Sequence, residues 1–165
     1  MNEKYVLTDE ARQVGDHRVR RIRALRNVGD HARAGHFGGW VETEKNLSEV
    51  GDSWVADEAH VFADAQVFGD ALVFGNAIVS GNARVSGNAR VGGGVWVSDE
   101  ARVTGDALVT GKARVAGFAQ VEDGAMVGDR ASVAGRVRVS GYARIMGQTR
   151  LYSAEWVSGD ARMWA

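Results

Sequence analysis

The 165-residue sequence predicts an all-β fold, a solenoid of stacked parallel coils, and three observations carry that prediction. Stepping by six from Val55 meets Val61, Val67, Val73 and so on without a break to Ile145, Leu151, Val157 and Met163, and no residue on that row is polar. Four places after most of them stands Ala, as at Ala59, Ala83, Ala107, Ala131 and Ala161, with Val95, Val137, Thr149 and Glu155 as the substitutes. Between these units recurs Gly followed by Asp or Asn, and the chain holds 22 Gly and no Pro.

The geometry follows from the spacing. In Ala-x-Val the two apolar residues are two apart, so on an extended strand they face the same side. The Gly-Asx step then makes a corner, since Gly accepts positive φ and Asn or Asp tolerates it best of the rest. Each unit therefore gives one short strand and one bend. Three units close a triangular coil, and successive coils stack as parallel strands about 4.8 Å apart. Without Pro, every backbone N–H is free to join the ladder.

Residues 1–54 break this register and read as an N-terminal β cap. RVRRIRALR (residues 18–26) has the pattern of a strand, and AGHFGGWVETEKNLSEVGDSWV leads into the first coil. A cap is physically expected, because the first coil otherwise presents an unpaired edge. Residues 55–165 form the coils, about six of them. The C-terminal coil, ending in ARMWA, leaves an edge open to end-to-end stacking or to another protein.

The unbroken period over residues 55–163 resembles the hexapeptide repeat of single-stranded left-handed parallel β-helices, found in many acyltransferases and in γ-class carbonic anhydrases. The left hand is implied by that resemblance alone; the general crossover rule favours the right. The segment GGWVETEKNLS, with the repeats, is similar to YdcK-like proteins of bacteria and phages. That likeness implies architecture and no particular activity.

The composition narrows the chemistry. The chain has no Cys, so disulfides and thiolate metal sites are excluded. The formal net charge is −1, which sets up no global field for nucleic acid or an anionic membrane. No apolar run is long enough to span a membrane, and the N-terminus has no signal-peptide core; a cytoplasmic or phage-virion setting is expected.

Candidate catalytic groups are few. Acyltransferases of the resembled class use a His base between subunits, and the chain offers His60 on the coils and His31 and His36 in the cap. His60 stands one place before Val61 and so points outward, where a solvated surface role is the ordinary one. A γ-type zinc site needs three convergent His, and the coils after His60 have none. No metal or cofactor is expected. The row Asp70, Asn88, Asp106, Asp123 and Asp160 could bind calcium, but its residues occupy bends, which accounts for them. Gly35, Gly38 and Gly39 beside Trp40 read as a turn covering the core rather than a phosphate loop. Arg18, Arg20, Arg21, Arg23 and Arg26 could hold phosphate or nucleic acid, although a solvated strand face explains them as well.

The outward columns are more informative. One face sets out Trp54, Leu72, Leu108 and Met126, flanked by Phe74, Met146 and Trp164, with Arg90, Arg144 and Arg162 between them. An apolar stripe along a rigid prism marks an interface. At about 25 cal/mol per Å², burying several hundred Å² contributes on the order of 10 kcal/mol before association costs. Related transferases form trimers with parallel axes, so a homotrimer packed through this face is implied. The sequence thus reads as a non-catalytic, rigid oligomeric scaffold that presents faces or ends to protein partners. An inter-subunit acyl-CoA-dependent transferase and a phosphate- or nucleic-acid-binding module remain as alternatives.

Overall fold

A computed structural model describes all 165 residues and forms a parallel β-solenoid behind an antiparallel cap. Strands β1 (Tyr5–Val14) and β2 (His17–Ala24) make a hairpin, and β2 pairs antiparallel with β3 (Phe37–Val41). β3 then pairs parallel with His60–Val61, so the cap continues directly into a nine-stranded sheet. Two further faces are all-parallel sheets of seven and six short strands, starting at Trp54–Val55 and Gln66–Val67. No helix is long and apolar enough to cross a membrane.

The coil ladder reaches back past Val55. Trp40 and Val41 lie in register with His60 and Val61, and Leu47 bridges Val67. A single 3-10 turn, Glu44–Asn46, lies between them. Its Asn46 is buried, and the side-chain amide donates to the carbonyls of Ala63 and Ala65, both at 2.9 Å. Here a side chain supplies ladder bonds where the backbone has left the regular path.

The core is the row read from the sequence. Each Val from Val55 to Val139 on the six-residue step is 0% exposed, as is each Ala standing two places before a residue of that row from Ala59 to Ala143. Val and Ala together fill the narrow triangle, and the β-branched side chain suits a pleated wall. Tyr5, Ile22, Ala24 and Val28 of the cap join the same apolar cluster, sealing its first end.

From Asp57 to Gly159 every corner except that at Ser153 turns on one residue of positive φ. Gly fills most of these places, and Asp57, Asp99, Asp123 and Asp129 fill four others. The Asx that follows a corner Gly, such as Asp70 or Asn88, is not itself left-handed. Asp123 therefore stands in the glycine place of its coil rather than in the Asp70 column. Ala63 is the remaining exception, at φ 56°.

Candidate functional site

The junction of cap and solenoid brings Arg12, Trp40, Glu58 and His60 together. Trp40 of β3 is 1% exposed, and the Arg12 guanidinium of β1 lies 3.6 Å from its ring centre. Glu58 Oε2 accepts from Arg12 Nη1 at 2.9 Å and from Trp40 Nε1 at 3.3 Å. Desolvation pushes the Glu58 carboxyl up, but the bonds from Arg12 and Trp40 outweigh it and hold the group below the usual carboxylate range. His60 stacks beside Trp40, with ring centres 6.3 Å apart and planes 14° from parallel. Burial first, and then the Arg12 charge, push its imidazole below the ordinary value, with Glu58 opposing them. A neutral His60 is thereby favoured, held as a cover on Trp40. Arg12, Trp40 and Glu58 escape a search for catalytic motifs, because they come from three separate segments.

The other histidines lie elsewhere. His31 Nε2 is 3.4 Å from the Asp70 carbonyl, at the edge of a groove shared with Asp57, Leu72, Phe74 and Arg90. His36 is exposed, and its backbone N–H bonds Arg33 at 3.0 Å. His17 pairs with Glu42 at 3.0 Å and packs on the Phe62 ring. His60, His31 and His36 are thus not brought to one place. No three side chains of the His, Cys, Asp or Glu types gather as metal ligands.

The Arg-rich segment lies on β2 and the loop after it. Arg20 Nε donates to the Thr8 carbonyl at 2.9 Å, and Arg21 lies 3.7 Å from Glu10 and over Phe37. Arg26 lies 3.6 Å from Asp52, while Arg18 and Arg23 are exposed. Three of these five cations are therefore engaged with groups of the cap itself.

The apolar stripe needs one correction. Trp54, expected on the outer face, is 1% exposed and belongs to the core cluster with Tyr5, Ile22 and Ala24. A Cβ placed on Gly38 would meet its ring at 2.7 Å, so the indole lies tight beneath the cap. The sequence pattern placed Trp54 in the Leu72 column, but a column is exposed only where nothing covers it. Leu72, Phe74, Leu108, Met126 and Met146 are half-buried, and Trp164 is exposed. Phe74 lies flat on Gly92, and Met146 covers Gly128, whose added Cβ would lie 2.7 Å from the Met Cε. Both glycines lack positive φ and serve as floors for large side chains of a neighbouring coil.

Fold and site together define a parallel β-solenoid protein with a sealed N-terminal end and a filled core. The repeat described as YdcK Beta solenoid repeat matches residues 65–81 and 83–99, consistent with a YdcK-like repeat β-helix protein. No curated protein matches the chain.

Proposed function

We propose that this chain is a non-catalytic structural protein, a stiff post that assembles as a homotrimer and presents its faces to protein partners. The observation that carries this is the uninterrupted coil ladder over a core of fully buried Val and Ala, which fixes every outward side chain at a regular spacing. Such a prism is a rigid display surface with no interior room for a substrate.

The trimer contact is the face of Leu72, Phe74, Leu108, Met126 and Met146, with Trp164 at its far end. Phe74 and Met146 lying on glycines keep this face low, which favours close approach of a second prism. The groove that runs from Leu72 and Phe74 under His31 gives the contact a place to lock.

The test is the paired substitution Leu108→Arg with Met126→Arg. Both side chains point away from the core, so the fold should survive and the assembly should fall to single chains. An unchanged assembly would remove this face from the proposal. Replacing His60 and His36 together should leave the assembly intact, whereas acyl-CoA turnover abolished by replacing His60, His31 or His36 would favour a transferase.

A further inference from the structure

On the nine-stranded face, far from the cap, four cations stand around one groove. Lys112, Arg114, Arg130 and Arg150 line it together with Ser132 and Tyr152, and no carboxylate is among the lining residues. The groove encloses about 460 Å³, within the usual range for a small-ligand site. Arg114, Ser132 and Arg150 are consecutive rungs of one parallel ladder, and Lys112 and Arg130 rise from the corner beside it. None of the four cations forms an ion pair, and Arg114 lies over the Trp96 ring at 5.5 Å. The carboxylate of the same corner, Asp129, accepts the Gly147 N–H at 2.9 Å and adjoins Lys112 and Arg130 on the neighbouring surface, so it offsets one of the four charges and leaves an excess of three.

A second groove shows what a neutral version looks like. On another side of the prism, Arg84 and Arg102 line a groove with Asp64 and Glu100, which balance them. The unbalanced charge of the first groove is therefore not a general property of the coils. Holding several unpaired cations together costs Coulomb repulsion, which a bound anion relieves.

We propose that this groove is a binding site for a short oligophosphate, two or three linked phosphate groups, free or carried on a nucleotide. The rungs stand about 4.8 Å apart, so Arg114 and Arg150 start about 10 Å from each other. That reach suits a compact polyanion, and guanidinium forks bind phosphate oxygens in pairs. The formal net charge of −1 offers no extended field to hold a long polymer. Tyr152, 57% exposed at one end, supplies a ring on which a base can stack.

Titration calorimetry of the full chain with inorganic tripolyphosphate, at low and high salt, tests this. Saturable binding is expected, weakened by salt and weakened about tenfold by either Arg130→Gln or Arg150→Gln. Arg84→Gln, in the balanced groove, should leave it unchanged. ATP binding more tightly than tripolyphosphate, with the difference lost in Tyr152→Ala, would identify a nucleotide as the source; equal binding would identify the free oligophosphate. No binding of either probe would overturn the proposal. So would equal weakening by Arg84→Gln, or binding of only a long oligonucleotide or an acidic protein. The substituted side chains all face outward, and an unchanged melting temperature without ligand confirms that each variant is folded.

Discussion

The carboxylate of Asp99 accepts the backbone N–H of Gly117, the residue eighteen places on and one coil below, at 2.9 Å. Asp57, Asp123 and Asp129 do the same for Gly75, Gly141 and Gly147. All four Asp residues have positive φ. Each therefore takes a strained corner conformation and offsets it with a bond to the next coil. Replacing Asp99 by Ala keeps the strain and loses the bond, which should cost about 2 kcal/mol. Asp99→Gly loses the bond but removes the strain, and should stay within about 1 kcal/mol of the parent. Urea midpoints of the two variants measure the difference.

Ala63 occupies the same kind of corner with no side chain able to make such a bond. Its φ is 56°, a conformation that costs an L residue about 1–2 kcal/mol. Ala63→Gly relieves that cost but frees the unfolded chain, so a net gain of about 0.5–1 kcal/mol is expected. The melting temperature should rise, and a fall would show that the Ala63 methyl packs usefully.

Gly92 is required for the opposite reason: its backbone is unstrained, but the Phe74 ring occupies the place of a Cβ. Gly92→Ala must displace the ring and should cost about 1–3 kcal/mol. Adding Phe74→Ala should recover most of that loss, because the collision then disappears. A double-mutant cycle in urea measures the recovery.

Much of this was legible in the sequence, and the rest was hidden for physical reasons. The Val row and its Ala companions gave the core because a fixed period leaves no other packing. Trp54 departs from its outward column because residues of the cap cover the first coil there. Asp123 reads in the sequence as an ordinary bend residue of the Asp70 row, since its left-handed backbone and its bond to Gly141 involve a partner eighteen residues away. The cations Lys112, Arg114, Arg130 and Arg150 are scattered along the chain. Writing the sequence in rows of one coil brings them side by side, a signal that a search for charge runs passes over.

Lys4 gives the fold a pH signature. It is fully buried, and Nζ donates to the Ser48 carbonyl at 2.7 Å and to Ser53 Oγ at 3.0 Å. Burial first, and then the Arg26 charge, lower its pKa to about 8, against the partial opposition of Asp52 and Asp70. The unfolded chain keeps the ordinary value of 10.5, so between about 8 and 10.5 it holds more protons than the folded chain. Stability from this group should therefore rise with pH across that window and be flat below it. Tyr5, whose phenol is pushed up by burial, works the other way above its ordinary value of 10. Melting temperatures from pH 7 to 10, compared with Lys4→Met, isolate the Lys4 contribution: the parent should gain on the variant as pH rises.

The proposed post rests most heavily on self-assembly through the Leu72, Leu108 and Met126 face. The most direct measurement is absolute mass by light scattering over a wide range of protein concentration. A mass three times that of the chain, constant on dilution, is the expected result. A single-chain mass at every concentration would contradict the trimer.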